Sequence, residues 1–259
     1  MPVDVSPELI GQWVGQYLWP LFRITAFLMI VPIFGTQLVP GRVRILLALG
    51  MTALIVPWVG DVPQIDPLSP AAATITAQQI LIGLAMGFAV LMLFQLFVIA
   101  GQMIAMQMGL GFASMVDPAN GVNVTVLSQF YLIAVTLLFL AMDGHLVVFQ
   151  ALVESFRTLP IGEGGISMDS IWLLANRIVW MFASAMLIAL PAMTAVLIVY
   201  LSFGIMTRAA PQMNIFAIGF PISLLFGLFA LWVLMGDFLP HFQRFSEQTF
   251  LFLDEMQKR

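Results

Sequence analysis

Six long apolar runs, separated by short polar turns, make up most of this chain. The first, Ile10–Ile33, exceeds the roughly 20 residues a helix needs to cross a bilayer. It carries Trp19-Pro20 and then Arg23 in its second half. A guanidinium in hydrocarbon costs at least ~2.5 kcal/mol, so Arg23 should face protein or water. Two readings stand for it: a buried polar contact, or an arginine snorkelling past Pro20 to the interface. A turn-rich connection, Pro32–Arg44, leads into a second run, Ile45–Val59, that is barely long enough to span and contains Pro57. The proline-rich stretch after it, with Asp61 and Asp66, predicts an extended loop.

The third run, about Thr74 to Gln107, would make roughly 50 Å of helix, well beyond the ~30 Å of hydrocarbon. Gly83 and Gly87, and then Gly101, Ala105 and Gly109, recur every four residues and predict small-residue faces for close helix packing. Gln95 and Gln102 lie seven apart, on one face that should be turned to protein. Run four, Val126–Met142, breaks at Asp143-Gly144-His145 and resumes through Val153. After a glycine-rich link comes run five, Ile171–Ile205, whose Pro191 predicts two half-helices or a kinked rod. Run six, Ile215–Leu239, contains Pro221 and a small-residue stripe of Gly219, Ser223 and Gly227. The tail beyond it is amphipathic and mixed in charge. The pattern predicts an all-α, polytopic membrane protein with about six long, kinked helices.

Composition agrees and narrows the chemistry. The 259 residues are 61% hydrophobic and 8% charged, where soluble domains carry about 25% charged residues. The acidic start, MPVDVSPELI, lacks the cationic region of a signal peptide, so the first run is expected to be retained. A net charge of −4 argues against nucleic-acid binding. With no cysteine, thiolate metal sites and cysteine nucleophiles are absent. GLGFAS at 109–114 lacks the third glycine of a dinucleotide fingerprint and follows a helix where a strand is needed. The tripeptide at Asp143 reads as a turn with a helix cap rather than as part of a hydrolase triad. His145 and His241 have no ligand spacing, and no chain of intramembrane carboxylates forms a proton relay. No catalytic, cofactor or metal site is expected.

One stretch is unusual for a membrane helix: Gly101–Pro118, GQMIAMQMGLGFASMVDP. Methionine repacks readily around irregular shapes. The glycines flanking Leu110 weaken helix by about 1 kcal/mol each. The segment could be a gate or a loosely packed helix end. On the gate reading Met106, Met108, Leu110, Phe112 and Met115 seal a pore, and Gly109 and Gly111 are hinges. A secondary transporter is the alternative class. It would require paired ionisable residues at a helix break and an inverted repeat, neither of which the sequence shows.

Five stretches, in order, carry a family resemblance: WPLFRITAFLMIVPIFG (19–35), VPGRVR (39–44), QMGLGFASMVDP (107–118), DGHL (143–146) and TRAAPQMNIFAIGFP (207–221). Together they resemble the FliR-type members of the type III secretion export-gate family, which serve flagellar and virulence systems. The resemblance implies an inner-membrane, multi-pass subunit of the flagellar basal body. Such a subunit assembles with FliP-type and FliQ-type subunits into a helical export gate for unfolded proteins. It contacts an FlhB-type switch protein and an FlhA-type export protein. Residues 1–160 would correspond to a FliP-like part and 161–259 to a FliQ-like hairpin and tail. The loop matching Met106, Gln107, Met108, Gly109, Leu110, Gly111, Phe112, Ala113 and Met115 would plug the closed pore. The polar loop with Arg208, Pro211, Gln212 and Asn214 would lie at the cytoplasmic entrance. Placing Arg42, Arg44 and Arg208 on the cytoplasmic side puts both termini outside.

Overall fold

The computed structural model describes residues 7–36, 38–60, 62, 63, 65, 66, 69–111, 125–162, 164–209 and 215–258. Among these residues the fold is entirely helical: α1 Pro7–Ile30, α2 Gly41–Ile55, α3 Pro70–Gln107, α4 Val126–Ala141, α5 Gly144–Thr158, α6 Met168–Ala209, α7 Ile215–Leu234 and α8 Phe238–Lys258. Short 3-10 turns, Val56–Trp58 and Met235–Asp237, follow α2 and α7. Among the described residues four stretches are long and apolar enough to cross a membrane, or five when the pair α4 and α5, bent by 70° at its break, is counted as one span. This is a polytopic membrane protein.

The prolines bend the expectations less than their chemistry suggests. Both α1 and α6 run through their prolines, Pro20 and Pro191, as single assigned helices. Run five is thus one rod of 42 residues, about 63 Å long, rather than two half-helices. Proline removes one backbone donor and crowds one carbonyl; the many remaining hydrogen bonds of so long a helix carry it through. The break at Asp143 is real: α4 stops at Ala141, and Asp143 takes a left-handed φ of 55° before α5 begins. Asp143 is exposed and makes no side-chain cap bond, so the turn and not a cap is what this residue provides. The tail forms α8, because its aromatic residues recur at helical spacing between the charges.

Two compact units emerge from the packing. The first comprises Met1–Met92, Asp143–Arg177 and Gln248–Arg259; the second comprises Leu93–Met142 and Ile178–Glu247. In the first unit α1 lies directly on α3. A Cβ at Gly83 would overlap the carbonyl oxygen of Arg23, and one at Gly87 would stand 3.0 Å from Phe27 O and Ile30 Cβ. These two positions admit α1 because they lack side chains, which is the packing that the four-residue stripe predicted. The C-terminal half of α8 docks here too. Arg177 lies over the Phe252 ring at 4.8 Å, Ser170 Oγ donates to Met256 O, and Gln257 Nε2 donates to Ala151 O.

The second unit is centred on Phe97 of α3. Its ring meets Phe238, Phe242 and Phe245 of α8 at 5.3, 6.1 and 6.2 Å between centroids, and Tyr131 of α4 touches Phe238 at 5.3 Å. Such aromatic pairs each add about 0.5–1.5 kcal/mol beyond the area they bury. Of the four membrane-length stretches among the described residues α3 is the most buried, with 67% of its apolar part covered against 22% for α2 and for the α7–α8 stretch. The side chains left bare on α2, α6 and α7 are large and apolar, among them Leu46, Trp172, Leu201, Phe229 and Trp232. That surface suits lipid or other protein, not water.

Candidate functional site

The end of α3 is closed by backbone geometry. Gly109 has φ +83°, its N–H donates to Met106 O at 3.1 Å, and the Leu110 N–H donates to Ala105 O at 2.9 Å. This pair of bonds around a left-handed glycine is the Schellman termination, which satisfies two carbonyls the helix would otherwise leave open. Any L-residue at Gly109 is strained, so Gly109→Ala should cost about 1 kcal/mol and loosen these two bonds. Faster hydrogen exchange at the Leu110 amide, with the α1 amides unchanged, is the expected readout.

On either side of that termination the methionines behave differently. Met108 is fully buried and its thioether fills the space above Gly227 of α7, where a Cβ would lie 2.7 Å from both Sδ and Cε. Met106 is exposed, and its sulfur folds over Gly111. Gln107 is half-buried. Leu110 helps line an apolar cavity of about 400 Å³ with Met108, Val126, Phe130, Leu228 and Trp232. Phe112, Ala113 and Met115 lie outside the described residues.

The chain returns at Thr125, again onto α3. Thr125 caps α4 through its hydroxyl, which accepts from Ser128 N at 3.3 Å. Gln102 Oε1 accepts from Thr125 N at 3.2 Å and stands 3.1 Å from Ser128 Oγ, which is also 3.0 Å from Val98 O. A Cβ at Gly101 would press on Ser128 Cα at 3.0 Å. Both feet of the 112–124 segment are thus held: Leu110 by the cap and its neighbour Met108, Thr125 by Gln102. The protein-facing position of Gln102 was readable from its spacing; the partners Thr125 and Ser128 were not.

Arg23 belongs to a separate site in the first unit. It is wholly buried. Its Nε donates to Gln79 Oε1 at 2.8 Å, Nη1 to Ser155 O at 2.7 Å and Ser155 Oγ at 3.1 Å, and Nη2 to Leu159 O at 2.8 Å. The guanidinium also lies 4.2 Å from the Phe156 ring centroid. Its partners are neutral oxygens, chiefly the last-turn carbonyls of α5 and just beyond, where the helix dipole leaves partial negative charge. Arg23 therefore closes the C-terminus of α5, and the planar fork of arginine is what reaches three groups at once. Gln79, Ser155 and Leu159 carry no sequence signal, since a helix pattern tells which face is buried and not what meets it.

Arg208 is exposed in the last turn of α6; Pro211, Gln212 and Asn214 lie outside the described residues. Among the described residues no three histidine, aspartate or glutamate side chains gather as a metal site would require. His145, two residues into α5, has no hydrogen-bonded partner at its buried Nδ1 within the described structure.

Comparison with known proteins places this architecture in a family. The model of "Bacterial export proteins, family 1" matches residues 14–249, a span that contains all five stretches quoted above. The flagellar biosynthetic protein FliR of Escherichia coli (strain K12) is 37% identical over 250 residues, 96% of this chain and 93% of the relative. FliR of Pectobacterium carotovorum subsp. carotovorum is 37% identical over 238 residues, 92% of this chain and 89% of its own length. FliR of Aquifex aeolicus (strain VF5) is 30% identical over 210 residues, 81% of each chain. A match that runs nearly end to end through both compact units leaves one conclusion: the chain belongs to the bacterial export proteins, family 1, the family of FliR.

Proposed function

We propose that this chain is a core subunit of the flagellar protein export gate, in the inner membrane at the basal body, and that it forms and closes part of the channel for unfolded flagellar proteins. The observation that carries the reading is the root of the 112–124 segment. The methionine-rich end of α3 is capped around Gly109 and Leu110, and the chain comes back to the same helix at Thr125. Fixed feet with soft side chains between them suit a seal that must part for chains of varied sequence and close again. Met106 through Met115 would make that seal. Energy would come from other subunits.

The bare apolar faces of α2, α6 and α7 support assembly with FliP-type and FliQ-type subunits, and with FlhB-type and FlhA-type proteins at the cytoplasmic side. Residues 1–160 act in this reading as the FliP-like part and 161–259 as the FliQ-like part. The loop of Arg208, Pro211, Gln212 and Asn214 lies at the cytoplasmic entrance. Flagellar rather than virulence export follows from the relatives, which carry the flagellar name.

Deleting Gly109–Ala113 in the assembled gate should raise ion leakage across the membrane. Unchanged conductance, with the complex present at normal abundance, would sink the assignment of the seal.

A further inference from the structure

We infer that Gly227 is a positioning residue for the gate: it is the seat that holds Met108, and through Met108 it fixes the root of the gating segment at Gly109–Gly111. The inference rests on the gate reading above and deepens it. Three observations on different elements meet at this point. Met108 has no exposed surface although the residues on either side of it in the motif, Met106 and Leu110, are not fully covered. Gly227 lies inside α7, where a glycine weakens the helix, and the space of its missing side chain is filled by the Met108 thioether. Met108 is the last residue before the left-handed Gly109, so a shift of its side chain acts directly on the two bonds that end α3.

The neighbouring small residue on this face of α7 does other work. Ser223, one turn earlier on the same face, is engaged differently: its hydroxyl stands 3.2 Å from Tyr200 Oη and donates to Phe220 O at 2.9 Å. Ser223 ties α7 to α6; Gly227 ties it to the end of α3. A displacement of α7 would press on the gate's root through a buried thioether lying on a bare backbone. Methionine suits that contact because it is the apolar side chain that bends most easily to a flat surface.

The test is a size series read two ways. In the purified full-length chain, Gly227→Ala should speed hydrogen exchange at the Gly109 and Leu110 amides on the order of ten-fold, and Gly227→Val should speed it further. Amides of α1 and α5 should keep their rates, which separates the effect from general unfolding. Met108→Ala, which takes the thioether out of the seat, should speed the same amides by itself, and combined with Gly227→Ala should add little, because both act through one contact. In assembled gates of equal abundance, conductance should rise in the same order, Gly227→Ala below Gly227→Val. Exchange rates that ignore Gly227→Ala, or effects of Gly227→Ala and Met108→Ala that simply add, would overturn the seat. Faster exchange with unchanged conductance overturns it as a control of closure where the 109–113 deletion does leak; where that deletion is also silent, the gate reading itself has failed and the seat's role falls with it.

Discussion

Arg23→Ala should remove most folded protein from the membrane. The substitution deletes four hydrogen bonds and the contact with Phe156, and it leaves the buried Gln79 Oε1 and the half-buried Leu159 carbonyl without this donor, while Ser155 O keeps the Leu159 N–H. An acceptor left without its donor costs about 1–3 kcal/mol, and the space vacated by the buried side chain adds to the two of them, so a total of about 3–5 kcal/mol is expected. Domain stabilities run about 5–15 kcal/mol, which makes that loss a large share. Arg23→Met tests the mechanism. If only the burial of charge mattered, an apolar side chain of similar length would be neutral or better. Because the acceptors stay orphaned, Arg23→Met should fail nearly as badly as alanine. Arg23→Lys should recover part of the loss, since an ammonium can serve one or two of the oxygens but not the full fork. The checks are abundance in the membrane fraction and the unfolding temperature in detergent. Normal yield and unchanged melting for Arg23→Met would refute the account.

The second large effect is expected at Gly83. Its Cβ would strike the backbone carbonyl of Arg23 and lie 3.0 Å from Ala26 Cβ, and neither is the free end of a side chain that could swing away. Gly83→Ala must therefore push α1 off α3, at about 1–3 kcal/mol, and Gly83→Leu considerably more. Gly50 in α2 is the control. A Cβ there meets nothing within 4 Å, so Gly50→Ala should be neutral or stabilise by up to about 1 kcal/mol through helix propensity. Thermal unfolding of the two variants side by side should show opposite signs. Since Gly83 and Arg23 hold the same seam, combining Gly83→Ala with Arg23→Ala should cost less than the sum of the two.

What could be read from the sequence follows the range of the forces involved. The apolar runs, the break at Asp143 and the protein-facing sides of α3 are local patterns of hydrophobicity and side-chain size, and each was legible. Element ends were less so. α2 begins at Gly41, inside the turn-rich connection, because Pro40 can precede a helix without giving up a needed hydrogen bond. Run six ends at Leu234 rather than Leu239, where a 3-10 turn hands over to α8. Gly109 was legible as a helix weakener but not as the residue that completes a cap. Its left-handed φ depends on two backbone bonds that composition does not encode. Least legible were the meetings between distant residues, Arg23 with Ser155 and Met108 with Gly227. Periodicity tells which side of a helix is covered; it carries no information about the partner.

The bonds from Arg23 to Ser155 bridge 132 positions of sequence. During synthesis at roughly 5–20 residues per second, Arg23 therefore waits on the order of 7–26 seconds for its acceptors to be made. Gln79 is made earlier, so through the later part of that interval the guanidinium has one of its partners and lacks the rest. The contact that closes α5 can form only once α5 itself has been made. The arginine that ends one helix thus also orders events in time, delaying completion of that contact until more than half of the chain has emerged.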